Sequence, residues 1–199
     1  MLSLGKEPGE AVRWGQLRNR EVMRGVLALQ LECFQFLAQT VNAITTAAGA
    51  SAPYTITVNS VHPGLLAPSS FSVGGTQYVA ALFSDAATFV LAPGAIAGVP
   101  SRRAKVGDAI TLHGVGFGAV KPDITAGRIV QQNHTLAVPF HLFFGQREAS
   151  LTYARLAPSA VGLYQFNVVV PSVPANDAVS LSFTLNGATG TQTLYIPVQ

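Results

Sequence analysis

The sequence predicts an all-β fold, an antiparallel β-sandwich led by a short helical segment, and three observations predict it. Apolar and polar residues alternate in short runs from Tyr54 to Val198. Turn formers punctuate those runs: His62-Pro63-Gly64, Ser84-Asp85, Gly145-Gln146 and Asn186-Gly187. No helix-period segment separates the runs after residue 50, which argues against alternating strand-helix architecture. Seven or more short strands spaced in this way form the pattern of an immunoglobulin-like sandwich.

The elements follow in order. Leu27, Leu31, Phe34, Ala38 and Val41 recur at helical spacing, and good helix formers surround them, so a helix is expected over residues 17–39. Its apolar face is expected to bury on the main domain or on a partner, or to drive self-association. Two other readings compete for the same stretch: a signal peptide starting at Met23, opposed by Glu32 within its apolar run, and a strand at Phe34-Gln35-Phe36. The texture changes near residue 45, where Thr, Val, Gly and Pro become frequent. Tyr54–Val58 reads as a strand. Tyr78–Phe83 and Thr88–Leu91 read as a hairpin, and 92–100 as a loop.

Ala109–Gly114 is the next strand, with Ile110 and Leu112 on one face and Thr111 and His113 on the other. Phe140–Phe144 and Ala149–Leu156 flank Gly145-Gln146, a pair suited to a type II′ turn. Tyr164, Phe166, Val168 and Val170 share one face of a further strand, and Tyr164 suits a tyrosine corner bonded to backbone a few residues upstream. Val179, Leu181, Phe183 and Leu185 alternate with Ser and Thr. Asn186-Gly187 turns the chain, and Leu194, Ile196 and Val198 end it. The expected organisation is an N-terminal segment over 1–50, a strand and linker over 51–62, and the sandwich domain over 63–199.

Composition narrows the function. The chain has 199 residues, 11% charged against about 25% in a typical soluble domain, and 49% hydrophobic. One cysteine, Cys33, excludes a disulfide scaffold. The net charge of +3 splits between a group in the first 24 residues and a second at Arg102, Arg103 and Lys105. Neither is interleaved with aromatic residues for base stacking, so no nucleic-acid partner is expected. No run of 18 uncharged apolar residues exists, so no transmembrane segment is expected.

Chemistry-bearing residues are sparse. His62, His113, His134 and His141 form neither an HxH nor an HxxxH pair, and Cys33 is remote from them, so no metal is expected. His113 and His141 sit on outward strand positions where they could meet across a sheet. Asp85, Asp108, Asp123, Glu148 and Asp177 fall in or near turns, where acids cap and solvate, and no spacing selects a catalytic pair. Gly114-Val-Gly116-Phe-Gly118 lacks the residues of a phosphate loop and reads as a strand end with glycines at positive φ. No nucleophile elbow occurs. The chain is therefore expected to be no enzyme and to hold no cofactor. Phe143 should point away from Phe140 and Phe144, where it could join a binding patch.

Ser51-Ala-Pro-Tyr-Thr-Ile-Thr-Val and His62-Pro-Gly-Leu-Leu resemble the end of one Ig-like repeat and the link to the next. Lys105-Val-Gly-Asp-Ala-Ile-Thr-Leu-His-Gly-Val-Gly-Phe-Gly, Gly162-Leu-Tyr-Gln-Phe-Asn-Val-Val-Val-Pro, Asn176-Asp-Ala-Val and Asn186-Gly then occur in the order of that next repeat. Over residues 45–199 the chain resembles the uncharacterised C-terminal Ig-like domain of large secreted proteins from soil acidobacteria, the Solibacter type. The resemblance implies tandem Ig-like domains, an extracellular or cell-surface location and no known catalytic residues. Residues 1–44 do not resemble a complete preceding domain, which reads as the remnant of a truncated one. The expected function is a non-enzymatic structural or adhesion-type module binding other domains or protein or glycan surfaces. The alternative is a carbohydrate-binding module, which clustered Tyr or Trp on one surface would favour. Trp14, the single tryptophan, lies outside the expected sandwich.

Overall fold

The computed structural model describes residues 38–42, 45–46, 49–50, 52 and 54–199. Cys33, Trp14, the N-terminal charges and most of the expected helix lie outside them. Among the described residues the chain is all-β, and no helix is long and apolar enough to cross a membrane. The chain divides into two units at Val61/His62, the larger comprising His62–Ile124 and Arg128–Gln199.

In the smaller unit, Ala38–Asn42 pairs antiparallel with Tyr54–Val58, Ala38 opposite Val58 and Asn42 opposite Tyr54. The expected helix therefore does not reach Gln39. Thr40 and Val41 are β-branched, and an alternating strand stands opposite to take up the backbone hydrogen bonds that a helix would otherwise keep local. Thr45–Thr46 and Gly49–Ala50 pair between the two strands in sequence.

Seven strands frame the larger unit: β1 (Ala81–Phe83), β2 (Ala109–Val115), β3 (Phe140–Phe144), β4 (Ser150–Leu156), β5 (Tyr164–Val169), β6 (Asn176–Leu185) and β7 (Leu194–Val198). β1, β2, β5 and β4 are neighbours in that order within a nine-stranded sheet. β3, β6 and β7 are neighbours in a five-stranded sheet. Alternation does what the sequence predicts: Ile110 and Leu112, then Phe166 and Val168, then Leu181 and Phe183 are buried in a single core fed by both sheets. Gly145-Gln146 makes a two-residue turn with positive φ at Gly145 alone, as type II′ requires, and Asn186 and Gly187 are both at positive φ.

The sheets are not purely antiparallel. Ser101–Arg102 runs parallel to Phe89–Val90, and isolated parallel bridges join Tyr78 to Tyr195 and Ala104 to Val198. The loop over 92–100 supplies the reason, because its length lets the chain cross back and return in the same direction, which a tight turn cannot do. Ser101 to Ala104 also changes sheets. Arg102 pairs with Val90 in one, while the Ala104 amide donates to Pro197 in the other at 3.0 Å.

Phe117 sits at the centre of the core, with no exposed surface. Its ring lies 4.8 to 5.5 Å from those of Phe166, Phe140, Tyr164 and Phe183, so it touches residues of both sheets. The Tyr164 hydroxyl donates to the Gly118 carbonyl, 46 residues upstream, instead of closing a local corner. Tyr164 opens β5 opposite Gly114 near the end of β2, and its ring lies against Phe117 in the loop that follows β2, the loop that also holds Gly118. Burial pushes the Tyr164 phenol up to about 12.

The turn after β1 is held by one carboxylate. Asp85 accepts from the backbone amide and hydroxyl of Thr88, at 2.9 and 2.7 Å, and from the Ala87 amide at 2.9 Å. These bonds, Thr88's first, lower its pKa to about 2. A carboxyl depressed in the folded state contributes stability that is complete above its ordinary value near 3.8 and is lost as pH falls through about 2. An Asp85→Ala variant is expected to melt lower than the parent at pH 6, with the difference closing toward pH 2. A difference independent of pH would assign the loss to something other than the carboxylate.

Candidate functional site

The five-stranded sheet presents Leu142, Phe183 and Ile196 on its core face and turns its other face outward. Register places the outer side chains in rows. Tyr78 bridges Tyr195, which stands opposite Ser180. Ser182 stands opposite Phe143, which stands opposite Glu148. Thr184 stands opposite His141. Tyr78, Tyr195 and Phe143 are half-buried, so their rings are partly open to solvent. Phe143 does point away from the buried Phe140 and Phe144, as its spacing predicts. The His141 Nδ1–H donates to the Glu148 carboxylate at 2.6 Å, and both groups are exposed.

The nine-stranded sheet carries a different outer face. Asn167 of β5 stands between Thr111 of β2 and Tyr153 of β4. Its Oδ1 accepts from Thr111 Oγ1 at 3.2 Å and from Gln165 Nε2 at 2.9 Å. In the next row, His113, Gln165 and Arg155 stand side by side, and Arg155 stands opposite Thr135, itself opposite Lys121. The Arg155 guanidinium lies 5.3 Å from the Tyr153 ring centre. Burial lowers the His113 pKa below its ordinary value, so the ring is neutral at pH 7 and offers one donor and one acceptor.

The histidines do not converge. His113 and His141 lie on different sheets, so the pair that the sequence allowed does not form. His134 is buried, with Nδ1 at 2.6 Å from the Pro122 carbonyl, and His62 is exposed. The turn acids are likewise apart. Asp177 takes both arms of the Arg103 guanidinium, which lowers its pKa. Partial burial pushes Asp108 up, and the Arg102 side chain and the Lys105 amide together leave it below its ordinary value. No three His, Cys, Asp or Glu residues come together among the described residues. EDTA is therefore expected to leave the melting temperature unchanged, and a fall of several degrees would refute that.

A groove of about 430 Å³ lies beside the Gly145-Gln146 turn, lined by Phe144, Arg147, Val173, Pro174, Asn176 and Ser180 among others. No carboxylate or imidazole lines it, so it offers a cation and amides but no acid-base pair. Gly116 and Gly118 are at positive φ, as the sequence predicts, whereas Gly114 lies within β2. That glycine-rich stretch serves to seat Phe117. Sequence reasoning missed the two outer rows, Tyr78-Tyr195 and Lys121-Thr135-Arg155, since each depends on strand register.

Compared with protein families, curated proteins and solved structures, the chain matches none.

Proposed function

We propose that the larger unit is an immunoglobulin-like module of an extracellular, non-enzymatic protein that serves as a structural or adhesive appendage. The order of its strands carries this reading. Lettered A to G along the chain, β1 to β7 give A-B-E-D in one sheet and C-F-G in the other, the division of a constant-type immunoglobulin domain. The resemblance to the acidobacterial Ig-like domain agrees with it. Its glycine stretch falls at the end of B, its Gly162-Leu-Tyr164 motif at the start of E and its Asn186-Gly187 turn after F. The scarcity of paired acids and bases supports a role without catalysis.

Labelling of intact producing cells with an antibody to the full chain tests the location. Label on intact cells, together with adhesion of protein-coated beads to the cell envelope, is the expected result. Label that appears only after permeabilisation overturns the extracellular reading.

Carbohydrate binding is the second reading, favoured by Tyr78 and Tyr195 side by side on the face that also displays Phe143, Ser180 and Ser182. Aromatic faces with neighbouring hydroxyls suit neutral sugars, which pair an apolar ring face with polar edges. Tyr195→Ala is expected to weaken binding to a neutral polysaccharide by about tenfold, or about 1.4 kcal/mol, with an unchanged melting temperature. A parent chain that binds no neutral polysaccharide defeats this reading and leaves the first intact.

A further inference from the structure

We infer that the outer face of the nine-stranded sheet is a binding site for an acidic polysaccharide, aligned along Lys121, Thr135, Arg155, Gln165 and His113. These five residues stand directly opposite one another on successive strands, so their side chains leave the sheet on one face. Lys121 and Thr135 are exposed, and the other three are half-buried. Among the described residues, neither Lys121 nor Arg155 makes an ion pair, although the acidic residues elsewhere in this unit draw in Arg102 and Arg103. The nearest acid in sequence, Asp123, turns Oδ1 to the Ile124 amide. The row holds two fixed positive charges and no negative one. Gln165 spends Nε2 on Asn167 and keeps Oε1 for another donor.

The spacing decides which polyanion fits. Lys121 and Arg155 are two strands apart, about 9.6 Å at the usual strand separation. Each strand of duplex DNA carries a charge about every 3.4 Å along the axis, so most of its phosphates would find no cation here. Its bases would also find no open platform, since the nearest ring, Tyr153, already faces Arg155. A polysaccharide with a carboxylate on every second sugar carries charge at about the interval between Lys121 and Arg155, with hydroxyls between. Its carboxylates would take Arg155 and Lys121, and its hydroxyls would take Thr135, Gln165 Oε1 and the neutral His113 ring.

This inference shares with the second reading above only that the ligand is a saccharide, on a different face. Affinity electrophoresis of the full chain in gels containing hyaluronate, which carries a carboxylate on alternate sugars, neutral dextran or single-stranded DNA tests it. Hyaluronate is expected to retard the protein, less so as salt rises. Arg155→Gln and Lys121→Gln are each expected to weaken that binding by about tenfold, at an unchanged melting temperature, while Tyr195→Ala on the opposite sheet leaves it unaltered. Absence of retardation by hyaluronate, equal retardation by DNA, or indifference to both substitutions overturns the proposal. Retardation by dextran alone also overturns it while sparing the carbohydrate reading of the tyrosine face. Lys121, exposed on a short edge strand, keeps the test decisive if the Arg155 variant folds poorly.

Discussion

Phe117→Ala is expected to destabilise the protein by about 3–5 kcal/mol, the range for emptying an aromatic site in a close-packed core. Domains are stable by only about 5–15 kcal/mol in all, so the variant should lie near the edge of unfolding at 37 °C. The reason is position. Phe117 leaves β2 in a loop, yet its ring stands within 5.5 Å of four others, two from each sheet. Phe140 and Phe166 also stack on each other at 4.3 Å, which ties the two sheets beside it. Removing the ring leaves a cavity that rigid strands on both sides cannot collapse to fill. Phe143→Ala provides the comparison, because that side chain is half-buried on an outer face and forfeits far less burial. Urea midpoints at unchanged slope measure both. A Phe117→Ala shift no larger than that of Phe143→Ala would show that Phe117 does not join the sheets.

The long strands were legible because burial on one face writes period-two alternation into the sequence, as in Val179-Ser-Leu-Ser-Phe-Thr-Leu185. The two-residue strands were not, since Val120–Lys121 and Thr135–Leu136 are too short to show any period. The helical spacing from Leu27 to Val41 runs into a strand at Ala38, where β-branched residues and an available partner outweigh local periodicity. The sequence suggests a local corner at Tyr164 because proximity along the chain is visible in it and the approach of Gly118 is not. Parallel pairings such as Ala104 with Val198 follow from a long connection whose path no local signal encodes.

The candidate faces were half legible. Alternation alone put Thr111, His113 and Phe143 outward, and each is so placed. Which outward residues become neighbours depends on register between distant strands. Nothing near Tyr78 announces Tyr195, and nothing near Lys121 announces Arg155. Two histidines on outward positions were equally compatible with one sheet or two, and the division of β2 and β3 between sheets separates them.

Gly114→Val is expected to cost at least about 3 kcal/mol, the upper range for overpacking a filled core. A Cβ at Gly114 would lie 2.5 Å from Phe117 Cε2 and 2.6 Å from the Gly64 carbonyl oxygen. The carbonyl has little freedom, because Gly64 is held in register with Val115, and the Leu65 amide and carbonyl are bound by the Gln192 side chain at 2.7 and 3.0 Å. The ring has little more, since four aromatic neighbours enclose it. The two obstacles can be separated by a double-mutant cycle of Gly114→Ala with Phe117→Leu. If the ring supplies the resistance, the smaller side chain relieves it, and the double variant is more stable than the sum of the singles by more than about 1 kcal/mol. If the carbonyl supplies it, the effects add. In both cases Gly114→Ala alone is destabilising, and an alanine variant as stable as the parent would show that the Gly64–Leu65 strand is held less closely against β2 than its register requires.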